Sequence, residues 1–122
     1  MSARAVQLRH RPSDAAAPRT LATEVSVARS RLAQARGLMF RRSIPADYAL
    51  AFPFEDAGVR TLHMLFVPFA IDALWLLDDR VTTIRRLAPF VGIGRGEADM
   101  VVELPAGGAV DVAVGDEVRL SQ

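Results

Sequence analysis

TLHMLFVPFAIDALWLL, residues Thr61–Leu77, is apolar at almost every position, and its polar interruptions are His63 and Asp72. A membrane-spanning helix needs about 20 apolar residues without charge. This run is shorter, contains Asp72 and carries Pro68 near its middle, so it reads as the core of a folded protein. Pro68 lacks the amide that a helix interior or a sheet ladder requires. The run therefore predicts two strands, Thr61–Val67 and Ile71–Leu77, joined by a short irregular link, with His63 and Asp72 on different elements.

Working outward, Asp78-Asp79 predicts a tight turn and Arg80–Leu87 a β-branched strand, giving a meander with the central pair. Upstream, Tyr48–Phe54 is aromatic and apolar and predicts a short strand ending near Pro53, with a turn over Glu55–Gly58. Downstream, Ala88–Asp99 contains three glycines and a proline and predicts an exposed loop. Met100–Leu104 then predicts a strand, Pro105–Gly108 a bend whose following amides can face an anion, and the segment to Leu120 a last strand.

Leu21–Ala28 alternates with period two and predicts a strand with one wet side. Ser30 is placed to cap a helix running to about Arg41, with Leu32, Ala35 and Met39 on one face. Gly37 marks either the end of that helix or a close approach by another backbone. Val6–His10 alternates as an edge strand would, and Pro12–Arg19 reads as a surface connection. The expected organisation is an arm or edge strand over residues 1–19 and a single domain over 20–122. The fold class is α+β, mainly β: a small antiparallel, barrel-like sheet of six or seven short strands with one main helix, about residues 30–41, packed on it.

At 122 residues, 51% hydrophobic and 24% charged, the chain has the composition of a globular protein rather than a disordered one. The absence of cysteine removes disulfides, thiolate metal ligands and cysteine nucleophiles. With two histidines left, no metal site and no cofactor are expected. All 15 basic residues are arginine, and 14 acids bring the net charge to +1, so nucleic-acid binding would need a local patch. Arg41-Arg42 and Arg85-Arg86 are pairs rather than a stripe, and Phe40, Trp75 and Phe90 sit in apolar runs that assign them to the core. The expected partner is a small molecule or a protein, with neither nucleic acid nor membrane. The first 20 residues lack the apolar segment of a secretory signal, which predicts a cytoplasmic protein. The Gly92–Gly96 loop, GIGRG, does not have the spacing of a dinucleotide cradle, and no Gly-x-Ser-x-Gly elbow is present.

Four side chains are candidates for a site: Arg36, His63, Asp72 and Glu103. A histidine beside a carboxylate titrates near neutrality in a fixed tautomer and can serve as a general acid/base, with Arg36 holding an anionic group. The same residues are also explained by a salt bridge from Arg36 to Asp72 or Glu103 that ties the helix to the sheet.

The runs RGLMFR at Arg36–Arg41, HMLFVPFAID ending at Asp72, ELPAG at Glu103–Gly107 and VAVGDEV at Val112–Val118 occur in the order seen in the DUF192 family, which the chain resembles over about residues 20–120. The resemblance implies a compact, mainly β domain and brings no established activity. Where the commoner bacterial form has an aromatic residue before the methionine and an asparagine after it, this chain has His63-Met64-Leu65. It resembles a variant branch.

Overall fold

The computed structural model describes residues 6–14 and 16–122. Its elements are β1 (Gln7–Arg11), β2 (Arg19–Ala22), β3 (Glu24–Val27), α1 (Arg31–Arg36), β4 (Tyr48–His63), β5 (Ile71–Leu77), β6 (Arg80–Leu87), β7 (Ile93–Pro105) and β8 (Glu117–Ser121). The strands form one sheet in the order β2-β1-β8-β6-β5-β7-β4-β3. All pairings are antiparallel except β3 with β4, which is parallel.

β5 is the centre of the molecule, flanked by β6 and β7 and buried at every residue but its last. A strand covered on both faces reads as a continuous apolar run rather than an alternation, as this one does. Leu74 and Leu76 pack into one core with Leu8, Val81, Val102 and Val118, whereas Ile71, Ala73 and Trp75 pack into a second with Leu38, Phe52 and Val67. Each fully buried side chain of this size contributes roughly 1.5–3 kcal/mol relative to exposure.

The expectation of a barrel-like sheet is met only as a mainly β, curled sheet. Its two edge strands, β2 and β3, follow one another in sequence with only Thr23 between them, and no ladder joins them among the described residues. The single strand expected over Leu21–Ala28 is thus bent at Thr23 and pairs its first half with β1 and its second with β4. Asp47 fixes the bend: its carbonyl accepts from the amides of Thr23 and Glu24, both at 3.1 Å, and its carboxylate accepts from the Thr23 hydroxyl at 2.7 Å.

Other expectations are corrected by packing. The strand over Thr61–Val67 stops at His63, and residues 64–70 form a loop. Glu55–Gly58 is not a turn; β4 runs through it for 16 residues with a register shift between Pro53 and Gly58, where a bulge tolerates the proline. The loop expected over Ala88–Asp99 becomes strand from Ile93 onward. Its glycines are required by an approach rather than by a turn: a Cβ on Gly96 would stand 2.9 Å from Trp75 Cγ and 2.7 Å from Thr83 Oγ1. The strand read near Val6–His10 is present but lies inside the sheet, between β2 and β8.

The helix is also shorter than expected. Ser30 caps it by accepting from the Ala33 amide at 3.0 Å, but it ends at Arg36, before Gly37 at φ 51°. That backbone conformation suits glycine alone, and it turns the chain so that Leu38, not Leu32, becomes the buried anchor. No residue of α1 is buried.

Candidate functional site

Strand parity separates the two candidate acids. Glu103 stands opposite Ala73 on β5 and Leu50 on β4, so it faces the second core. Asp72 stands opposite Leu104, a member of the first core, and therefore points to the other face of the sheet. The two acids are not neighbours in one site.

Asp72 is fully engaged. It accepts from Arg86 Nε at 2.8 Å and Nη2 at 3.3 Å, from the Gly107 amide at 3.0 Å and from the Ala109 amide at 3.1 Å. Burial pushes its carboxyl up, but the Arg86 and backbone hydrogen bonds outweigh that and hold it below the usual carboxylate range. The amides after the Pro105 bend do meet an anion, and that anion is Asp72 itself. The expected ion pair with Arg36 does not form; Arg86 takes that place.

Glu103 is the opposite case. Its side chain is buried, and Oε1 has no hydrogen-bond partner among the described residues. Burial pushes its carboxyl up to about 8, against the opposing charge of Arg41, so at neutral pH it is mainly the neutral acid and can donate a hydrogen bond. It forms one wall of a pocket of about 150 Å³ between the end of α1, β4 and β7, lined also by Arg36, Leu38, Phe52, His63 and Val67. Gly37 keeps the space beside the acid open; a Cβ there would stand 3.6 Å from Glu103 Oε1 and 3.5 Å from Phe52 Cζ.

His63 is exposed at the end of β4, and its Nδ1 accepts from the Leu65 amide at 3.2 Å, which leaves the proton of the neutral ring on Nε2. Arg36, exposed in the last turn of α1, lines this pocket and an adjoining one of about 320 Å³ that also contains Arg41. Three of the four candidates therefore line one pocket, and Asp72 serves the opposite face.

Sequence reasoning missed a second buried polar network. His10 Nε2 lies 2.8 Å from Asp116 Oδ2, Arg19 Nε donates to His10 Nδ1 at 3.1 Å, and Asp116 also accepts from the amides of Ser13 and Ala113, both at 2.9 Å. Because Arg19 donates to Nδ1, His10 carries its proton on Nε2 and donates it to Asp116. Burial would raise the Asp116 pKa, but these hydrogen bonds overcome it and hold the group far below the carboxylate range. The signal for His10 was present, since period two puts it on the face of Leu8. Nothing local pointed to an aspartate 106 residues away.

Fold and site define a mainly β protein built on one open, curled sheet. The chain belongs to the DUF192 family, described as an uncharacterised ACR, whose model matches residues 14–120. Two solved structures are similar to it. One, a "putative transcription regulator" from Sinorhizobium meliloti 1021, has a TM-score of 0.81 at 23% identity, with 98% of this chain and 95% of that chain covered. The other, a protein of unknown function from Novosphingobium aromaticivorans DSM 12444, has a TM-score of 0.79 at 21% identity, with 93% and 83% covered. At these identities the likeness speaks for the fold alone. Comparison with curated proteins gives no match. No helix among the described residues is long and apolar enough to cross a membrane.

Proposed function

We propose that the pocket under the end of α1 binds a small molecule, with neutral Glu103 as its hydrogen-bonding anchor and Arg36 and His63 at its rim. The observation that carries this reading is the unpartnered carboxyl oxygen of Glu103 in the pocket wall. A buried polar atom without a partner costs roughly 1–3 kcal/mol, and a ligand that hydrogen-bonds to it recovers that cost. The volume, about that of an engineered cavity that takes benzene, suits a ring-sized ligand with an apolar body and one polar group. An anionic substituent would meet Arg36. On this reading Asp72 belongs to the scaffold, and the protein is a cytoplasmic binding module.

An enzyme reading keeps one specific support. His63 and Glu103 line the same pocket, and an acid titrating near 8 exchanges its proton at physiological pH. In that case Glu103 would act as general acid and His63 Nε2 as its counterpart across the ligand.

The test is a thermal-shift screen of small metabolites on the wild type, Glu103→Leu and Arg36→Ala, since a bound ligand raises apparent stability by mass action. A compound that raises the wild-type Tm and has no effect on Glu103→Leu supports the pocket; one whose shift survives in both variants removes it. Turnover of the bound compound, abolished in His63→Ala, would select the enzyme reading.

A further inference from the structure

Phe40, Phe66 and Phe90 were expected in the core or left unassigned by the sequence, and the structure places all three at exposed loop tips, with φ of 69°, 61° and 64°. Left-handed backbone is unusual for a bulky residue and costs energy, so three such residues at one end of a molecule are held there by their surroundings. The tips are contiguous. Phe40 and Phe66 stack with centroids 4.9 Å apart, the Phe40 amide donates to the Phe66 carbonyl at 2.8 Å, and the Phe90 amide donates to the Val67 carbonyl at 3.0 Å. Leu65, Val91 and Ile93 are exposed beside them in the same loops and strand end.

Two further properties narrow what such an apolar end can meet. The first is charge: residues 38–46, 63–71 and 80–96, which carry all six side chains, contain no Asp or Glu, while they contain Arg41, Arg42, Arg80, Arg85, Arg86 and Arg95, all exposed, of which Arg86 is paired with Asp72. The second is backbone satisfaction. The amides of Phe40, Met64, Val67, Phe90, Val91 and Gly92 donate to backbone carbonyls, and that of Leu65 to His63 Nδ1. Such pairing lowers the cost of leaving bulk water, and the Phe66 amide, which has no partner among the described residues, is the exception. A basic collar around apolar tips matches a surface with anionic headgroups over a hydrocarbon layer.

We infer that this end of the molecule docks on an anionic lipid surface, with Phe40, Leu65, Phe66, Phe90, Val91 and Ile93 entering the acyl boundary and Arg41, Arg42 and Arg95 meeting the headgroups. The contact is peripheral. A protein partner and single-stranded nucleic acid are the other occupants such a patch allows, but Leu65, Val91 and Ile93 offer no ring for base stacking, and Phe40 and Phe66 already cover each other.

The experiment is co-sedimentation of the full chain with vesicles of phosphatidylcholine alone or with phosphatidylglycerol added, at low and high salt, using wild type, Phe66→Asp, Arg41→Glu/Arg42→Glu and, as an exposed apolar control far along the chain, Val114→Asp. Melting curves confirm that each variant is folded. The expected result is wild-type binding to phosphatidylglycerol vesicles at least ten-fold stronger than to phosphatidylcholine, weakened by salt, lost in Phe66→Asp, reduced several-fold in the double arginine variant and retained in Val114→Asp. Absence of wild-type binding to anionic vesicles at low salt overturns the inference, as does binding that Phe66→Asp leaves intact. Self-association or oligonucleotide binding that Phe66→Asp abolishes, with no vesicle binding by the wild type, would assign the patch to that occupant instead. Phe66→Asp and Val114→Asp leave Glu103 and its opposing charge Arg41 unchanged, so the comparison of these two variants stands apart from the ligand screen.

Discussion

Asp72 and Glu103 lie on adjacent strands, each a buried acid in an apolar run, and the molecule treats them in opposite ways. Asp72 receives hydrogen bonds from Arg86, Gly107 and Ala109 and stays ionised; Glu103 Oε1 receives none, and its carboxyl holds its proton up to about pH 8. Burial is common to both, so burial does not distinguish scaffold from site. The supply of donors does. A carboxylate with paired donors ties a bend to a strand, whereas one left without them stores a cost that a ligand or a proton can relieve.

The largest expected effect tests Glu103. Its folded pKa of about 8 lies above the unfolded 4.5, so between these values the unfolded chain has lost the proton and the folded chain keeps it. Unfolding then releases a proton, and stability falls as pH rises through that window. The wild type should lose up to about 4 kcal/mol from pH 4.5 to pH 8 from this group, and Glu103→Gln should remove that slope in denaturant titrations across the range. A slope unchanged by the substitution would mean that Glu103 is ionised and finds partners.

The second effect belongs to Asp72. Asp72→Asn removes the charge from a buried acceptor of several hydrogen bonds, with an expected cost of about 3 kcal/mol and a fall in Tm of roughly 10 °C. Because the folded pKa of Asp72 is depressed, its contribution is present above the unfolded value of 3.8 and is lost as pH falls below it. The smallest effect separates the two kinds of donor. Arg86→Ala should cost clearly less than Asp72→Asn, because the Arg86 side chain is 59% exposed and the Gly107 and Ala109 amides remain on the carboxylate. A loss equal to that of Asp72→Asn would shift the burden from the bend to the ion pair.

The sequence made both acids conspicuous, as polar residues within apolar runs, but their separation depends on register. Opposition of Glu103 to Ala73 and of Asp72 to Leu104 is a property of β5 and β7 paired, and no local pattern states it. β5, the Asp78-Asp79 turn and β6 were legible because a bounded apolar run, a turn and a β-branched strand are all short-range signals. Both turn residues take positive φ, 49° and 64°, as that hairpin requires. The first part of β7 was illegible for the converse reason: its glycines look like loop punctuation, and only Trp75 lying over Gly96 explains them. The helix was read too long because propensity favours its continuation, while Gly37 stops it and Leu38 finds the core instead.

The place of β1 between β2 and β8 sets an order in time. During synthesis β2 follows β1 within a few residues and can pair with it at once, but the other edge of β1 must wait for residues 117–121. Chains lengthen at about 5–20 residues per second, so for several seconds that edge, with His10 still lacking Asp116, has no partner within the chain. The clamp of His10 on Asp116 therefore closes only after β8 begins to emerge, later in the chain than every other strand of the sheet.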